Sequence, residues 1–572
     1  MGPRPHPQSY ARLRTLSGGV LIVLPLVGLL VVSLVWPLLE VLLRSLNADG
    51  TAQLFSGATT LENYSKVFSD MALRQVLTNT VVIALWATAI TTVLAFPVAY
   101  LLTRLSRRTA IVILTLVMVP FWVSILVRLF AFTSILGKQG IVNSIAGDVG
   151  LGGPYDLLFN RTATVIGMVA YLLPYMILVL YAGMSSIDTT LMTAAKTLGA
   201  SGRQAFRRVY LPLVRTSLLS GMMLVFVLSL GFFLTPSILG GPGDTTIPVY
   251  IQAQVTNFQW GTASATGIIL LIVTLVGFAG VLRGIGVSGL TGGGASGKGT
   301  VAQERLRLSP LSVLLWLVTG IVMLVLLTPL LVIVPSSFGT SELLIWPPTG
   351  FTTGWYEEVL TDPLWTAAIG KSALVGAGTA VLSTALGLQL ARIVARMRSR
   401  SARSLVMALV YAPLVVPVIL LAIGIYGVQT RLGLLGSDLG LILAHTVLAL
   451  PLAFAVLNAA LANLDPSLET AAWTLGASKR TTFWRVVIPN IMPSLVGALL
   501  ITFITSWDEV VIAIFQTGLE KTLPVTIFGL VKSGVTPAVA AVSSLLVLVV
   551  TLVVVIYAIA SSRRSLSRKA VQ

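Results

Sequence analysis

The sequence predicts an all-α, polytopic membrane protein of about 12 transmembrane helices arranged as two six-helix repeats. Three observations predict it. Hydrophobic residues make up 56% of the 572 positions and charged ones 10%, with a mean hydropathy of +0.95, whereas a soluble domain holds about 45–50% apolar residues. Apolar runs of roughly 20 residues, long enough to cross a hydrocarbon core as helices, recur along the whole chain. A polar motif also occurs twice: Thr193-Ala194-Ala195-Lys196-Thr197-Leu198-Gly199-Ala200-Ser201 returns as Thr470-Ala471-Ala472-Trp473-Thr474-Leu475-Gly476-Ala477-Ser478, 277 residues later. The same offset carries Pro174 onto Pro451, Asp188 onto Asp465, Phe206 onto Phe483, Arg208 onto Arg485 and Pro212 onto Pro489. Such a register marks a tandem duplication.

In order along the chain, residues 1–17 form a basic N-terminal segment and residues 18–285 the first half, with spans centred near 31, 90, 121, 174, 227 and 272. The first apolar run, Ser17 to Leu43, is interrupted by Pro25 and by Trp36-Pro37. It lacks a small-residue cleavage site and reads as an uncleaved anchor. Residues 286–309 are a Gly-rich linker, too poor in bulky residues to build a core. Within it, Gly292 and Gly297-Lys298 have the spacing of a phosphate-binding P-loop, but Gly299 stands where Ser or Thr must hold magnesium, and no strand precedes it. The chain is therefore not expected to bind ATP or any other cofactor itself. The second half, residues 310–562, has spans centred near 322, 383, 415, 451, 503 and 550, and residues 563–572 form a basic C-terminal segment.

Charge sets the expected orientation. If both termini are cytoplasmic, the inward segments hold 27 of the 37 Lys and Arg but only Asp188, Glu304, Asp465 and Glu469 of the 19 acids. This positive-inside bias places both motifs in the cytoplasm. It also explains the net charge of +18 without nucleic acid, since no basic stripe with interleaved aromatics accompanies it. The chain has no cysteine, which excludes disulfides and thiolate chemistry. His445, the one histidine inside a span, has no second ligand at metal spacing. It reads as a packed, hydrogen-bonded residue, and neither a catalytic nor a metal site is predicted.

The twin motif has its own physical logic. Ala194, Ala195, Ala471 and Ala472 are small, and Gly199 and Gly476 permit a sharp turn. Phe206, Val209 and Leu213 form an apolar stripe opposite Arg203, Arg207 and Arg208. Each copy therefore reads as a short helix, a turn, and an amphipathic helix along the inner membrane face.

These residues resemble the EAA loop of permease subunits from bacterial ABC importers, of the MetI-like fold. The resemblance implies that Ala194, Ala195, Gly199, Ala200 and Phe206, with Ala471, Ala472, Gly476, Ala477 and Phe483, dock two copies of a cytoplasmic ABC ATPase. ATP and magnesium would be used by that partner, and an extracytoplasmic solute-binding protein would deliver cargo. The leading Glu of the pattern is replaced by Thr193 and Thr470, with Glu469 one place earlier. Ala444-His445-Thr446, Ser506-Trp507-Asp508-Glu509-Val510 and Val531-Lys532-Ser533-Gly534 resemble one spermidine/putrescine permease subunit, whereas Tyr171-Leu172-Leu173-Pro174-Tyr175 and Leu230-Gly231-Phe232-Phe233 resemble its partner. The resemblance implies a fused polyamine permease, with ferric iron, thiamine, aminophosphonate or amino-acid cargo as alternatives within the same class.

Asp508 and Glu509 stand apart from the duplication, because the first half has Gly231 and Phe232 there. A carboxylate within a span costs roughly 2.5–3.5 kcal/mol on insertion scales and normally faces a cavity or a partner. We therefore expect Asp508 and Glu509, with Trp507 beside them, on the substrate pathway; a hydrogen-bonded structural acid is the competing reading. Two other classes compete for the whole chain. A secondary transporter also duplicates six helices but needs coupling charges in both halves. A non-transporting receptor or scaffold would retain no separate ATPase.

Overall fold

The computed structural model describes residues 32–47, 59–285 without 189, 309–533 without 342–347, 349 and 398, then 537–549, and positions 28 and 552. The terminal segments 1–17 and 563–572, and the linker with its P-loop-like glycines, lie outside the described residues. The first half builds α1 (residues 32–45), α2 (Glu62–Ser69), α3 (Met71–Leu102), α4 (Arg107–Met118), α5 (Ile125–Leu136), α6 (Ile141–Asp148) and α7 (Arg161–Ser185). It continues with α8 (Thr190–Thr197), α9 (Gly202–Leu230), α10 (Leu234–Leu239), α11 (Ile247–Thr256) and α12 (Trp260–Ile285). The second half builds α13 (Pro310–Ser336), α14 (Gly354–Thr361), α15 (Pro363–Arg396), α16 (Arg400–Tyr411), α17 (Val418–Leu432) and α18 (Asp438–Ala462). After these come α19 (Pro466–Thr474), α20 (Lys479–Trp507), α21 (Val511–Gln516), α22 (Leu523–Ser533) and α23 (Pro537–Val549). The described residues contain no strand.

Among the described residues, nine helices are long and apolar enough to cross a membrane, and the bent pair α16–α17 makes ten. The remaining two of the expected twelve, centred near 31 and 550, extend outside the described residues. The spans expected near 121 and 415 are not single helices. Each first segment ends in a 3₁₀ turn, Val119–Trp122 or Ala412–Leu414, and the second pair is bent by 98°. Proline is the cause: Pro120 and Pro413 sit in those turns and Pro417 caps α17, and each lacks the N–H that a continuing helix needs.

The duplication is visible in the hydrogen bonds. The Ser45 and Tyr64 hydroxyls lie 2.7 Å apart, and so, at 2.6 Å, do those of Ser337 and Tyr356. Ile247 donates its N–H to Thr80 Oγ1, and Leu523 donates its N–H to Ser372 Oγ, both at 2.8 Å. The register is not uniform. α5 and α17 start at 125 and 418, but α7 and α18 start at 161 and 438, so the first half carries extra chain between those helices, namely α6 and the loop to Asn160.

The halves of the sequence are not the units of packing. One compact unit comprises residues 1–64, 257–268 and 367–525, and the other 65–256, 269–366 and 526–572. Within the former, α1 packs on α17 so closely that a Cβ on Gly424 would strike the Pro37 backbone and one on Gly427 the Glu40 side chain. Within the latter, Val322 and Leu326 of α13 join a core with Ile83, Ala87, Met168 and Leu172. Each half thus lends its first helix to a core built from the other half.

Candidate functional site: twin loops and a polar helix break

The Gly-Ala-Ser of each motif is a helix–turn–helix joint. α8 ends in a Schellman cap, in which Gly199 N–H donates to Lys196 O and Ala200 N–H to Ala195 O, both at 3.0 Å, with Gly199 at φ +87°. α19 repeats this with Gly476 N–H to Trp473 O at 2.9 Å and Ala477 N–H to Ala472 O at 3.0 Å, with Gly476 at φ +82°. Left-handed backbone suits glycine because no Cβ meets the following carbonyl. The serine then caps the next helix: Ser201 Oγ accepts from Gln204 N–H at 3.2 Å and Ser478 Oγ from Thr481 N–H at 3.1 Å. Asp188 and Asp465 cap the first helix of each joint, accepting from Thr190 and Ser467 N–H at 2.8 and 2.9 Å. Those backbone bonds hold both carboxyls below the ordinary Asp range.

The second helix of each joint differs from the expectation of a separate helix lying on the membrane face. It runs on as the span α9 or α20, through one π turn at Phe206–Tyr210 or Phe483–Val487. The extra residue in that turn rotates the buried face. Ala205, Tyr210 and Val214 are buried, Phe206 and Val209 only partly, and Leu213 is exposed, so the stripe read from the sequence is displaced.

Of the sequence-predicted docking residues, Ala194, Gly199, Ala471 and Gly476 are exposed, while Ala195, Ala200, Ala472 and Ala477 are half-buried. Phe206 and Phe483 face inward. Phe206 packs between Tyr100 and Tyr210 with centroids 5.8 and 5.4 Å away, and Phe483 lies 3.9 Å beneath the Arg392 guanidinium. Sequence reasoning missed Leu198 and Leu475, which are 90% and 88% exposed at the tips of the two joints. Their signal was present: a leucine precedes the turn glycine in both copies, where no apolar stripe requires it.

The second candidate site is the break between α20 and α21. Asp508 closes α20 with φ −93° and ψ 2°, and Gly231 closes α9 with φ −89° and ψ 4°. The break is therefore common scaffold and the acids are the second half's own addition. Glu509 Oε1 accepts from Ile512 N–H at 2.7 Å and so caps α21, and both carboxylates are partly exposed. Trp507 stacks on Phe503 at 5.5 Å. His445 is buried, with Nδ1 2.8 Å from Ser506 Oγ, as its sequence context suggested. The first half places Phe232 on Tyr171 at 4.9 Å, and the buried Arg128 guanidinium lies 5.0 Å from the same tyrosine ring. Arg128 was not singled out from sequence because a lone Arg in a span-end stretch carries no periodic signal.

At the opposite helix ends from the joints, corresponding positions hold mirrored ion pairs. Arg161 Nε donates to Asp244 Oδ1 at 2.8 Å and Nη2 to Asn79 Oδ1 at 2.9 Å. In the second half Lys371 takes the asparagine's place and pairs with Asp438 and Glu520. The cation has moved from one helix to another while the pairing is kept.

The family described as binding-protein-dependent transport system inner membrane component matches the chain twice, over residues 91–282 and 383–566. The spermidine/putrescine transport system permease protein PotB of Haemophilus influenzae is 32% identical over 243 residues, covering 42% of this chain and 84% of that protein. The putrescine transport system permease protein PotI of Escherichia coli is 32% identical over 227 residues, covering 38% of this chain and 80% of that protein. Among solved structures, a bacterial alginate ABC transporter in complex with an alginate pentasaccharide-bound periplasmic protein is 18% identical with a TM-score of 0.40, covering 48% of this chain and 95% of that one. Two family matches on two halves with the same joints and breaks make this chain a member of the binding-protein-dependent transport system inner membrane components, a multi-pass transporter subunit rather than an enzyme, with both permease domains in one polypeptide.

Proposed function

We propose that this chain is the whole translocation pathway of an ATP-driven importer for spermidine, putrescine or a similar small organic cation. Both termini and both joints face the cytoplasm, as the positive-inside count indicates. Two copies of an ABC ATPase, which bind the ATP and magnesium, dock at residues 188–212 and 465–489. An external binding protein delivers the cargo. The observation that carries this reading is the pair of matching joints, each ending in an almost fully exposed leucine. ATPase closure would bias the permease domains between two openings.

The similarity of this chain to the polyamine permease proteins PotB and PotI supports that cargo, and so does its chemistry. A cationic polyamine needs anionic contacts, and Asp508 is a partly exposed carboxylate that the first half lacks. Trp507 and Glu509 complete that position, Glu509 mainly by holding the helix break. Co-expression with the ATPase and the binding protein tests the proposal. A complex with two ATPase copies, whose ATP hydrolysis rises when the binding protein carries spermidine, is expected. Hydrolysis that responds to ferric iron or thiamine instead would reassign the cargo, and absence of any retained ATPase would reject the importer.

A further inference from the structure

Behind the second joint lies a cavity of about 300 Å³, and at the corresponding place the first half packs aromatic rings against each other. Register explains the difference. Tyr100, Met192 and Tyr210 of the first half become Arg392, Glu469 and Val487 in the second. In the first half those side chains fill the space: Tyr100 and Tyr210 have centroids 5.3 Å apart, both pack on Phe206, and Met192 lies against the same core. The second half loses the Tyr210 ring and leaves the volume open.

The charges that face this cavity come from three elements. Arg392 and Arg396 project from α15, Glu469 from α19, and Lys479 from the start of α20. Three cations against one acid leave the cavity net positive. Arg392 is held in place by Phe483, 3.9 Å below its guanidinium, and by Gln389 Oε1 at 3.3 Å. The rest of the wall is apolar, with Leu461, Leu464 and Trp473. Cations beside apolar wall suit an amphiphile whose head is an anion, and basic pockets between membrane helices are known to take phospholipid headgroups. The volume is also ample, since one water occupies about 30 Å³ of liquid.

We propose that this cavity binds the phosphate of an anionic phospholipid headgroup, held by Arg392, Arg396 and Lys479. Because the bound phosphate sits against the Arg392–Phe483 stack, its occupancy stiffens the second joint and not the first. Docking at the two joints thereby becomes unequal. A soluble phosphate compound offers the same chemistry, and the experiment separates the two sources.

The full-length protein is reconstituted in nanodiscs of phosphatidylcholine, with or without phosphatidylglycerol, and its melting temperature and retained lipid (by native mass spectrometry) are measured. Phosphatidylcholine discs with inorganic phosphate form the other arm. Phosphatidylglycerol should raise the melting temperature of the wild type. Val487→Tyr, which copies the filled first half, and Arg396→Gln, an exposed change that leaves folding intact, should each lose most of that shift and of the retained anionic lipid. The same variant-sensitive shift with inorganic phosphate alone would keep the phosphate site but overturn the lipid as its source. An equal phosphatidylglycerol shift in wild type and both variants would overturn the site. So would the absence of any shift combined with weaker ATPase docking by Val487→Tyr, which would make an ATPase side chain the occupant.

Discussion

Leu198→Ala and Leu475→Ala offer the sharpest separation of docking from folding. Both side chains are about nine-tenths exposed, at 90% and 88%, so their loss removes almost no packing, and exposed changes of this kind stay within about 0.5 kcal/mol of neutral. If each leucine enters a hydrophobic cleft of an ATPase, truncation removes three buried carbons at about 0.8 kcal/mol each, or roughly 2 kcal/mol after incomplete burial. At about 1.4 kcal/mol per tenfold, that is about a 30-fold weaker dissociation constant per joint. Surface-plasmon or interferometry titration of the ATPase onto immobilised, reconstituted protein reads the affinity, and differential scanning fluorimetry of the same samples reads stability. Unchanged affinity in both variants, or a melting temperature that falls in proportion to the lost affinity, would refute the docking role.

The acid pair should split. Asp508→Asn should lower the initial rate of polyamine uptake severalfold with ATPase docking unchanged. Glu509→Gln, whose amide oxygen still caps α21, should change uptake less than Asp508→Asn, and Glu509→Ala should cost about 1 kcal/mol of thermal stability for the lost cap, read by calorimetry. Lys371→Met leaves Asp438 and Glu520 facing each other without their cation, and with Lys371 only 10% exposed it should destabilise by about 1–2 kcal/mol after solvent screening. Arg161→Met, at a 41% exposed position, should cost less in the same melt. The Asp188 and Asp465 carboxyls are held down by backbone N–H bonds from Thr190 and Ser467. A depressed carboxyl stabilises above its unfolded value, near 3.9, and loses that contribution only as pH falls through the still lower folded value. ATPase affinity measured between about pH 5 and 8 should therefore owe no slope to these caps.

Much of this architecture was legible because its causes are local. Glycine, alanine and serine in fixed order specify a left-handed helix end followed by an N-cap, and the joints at Gly199 and Gly476 have that form. The asymmetry at Asp508 was readable from register alone. What escaped the sequence depends on longer range or on one-residue shifts. The π turns at Phe206–Tyr210 and Phe483–Val487 rotate the buried face by one place, which a period of 3.6 does not capture. The span near 415 is a 98° bend, since Pro413 and Pro417 interrupt an otherwise continuous apolar run. Lending of α1 and α13 to the opposite cores is invisible to hydropathy, because both helices are apolar wherever they pack. Glu509 was grouped with Asp508 by adjacency, yet its hydrogen bond to Ile512 gives it a different task.

In the proposed mechanism this chain moves a polyamine only when a docked ATPase hydrolyses ATP. Uptake of radiolabelled spermidine into proteoliposomes, with ATPase and binding protein supplied, is the decisive measurement. ATP-dependent accumulation that is abolished when the ATPase is omitted, and that an imposed proton or sodium gradient does not restore, is the predicted result. Spermidine accumulation driven by an ion gradient through the purified chain alone would contradict the account.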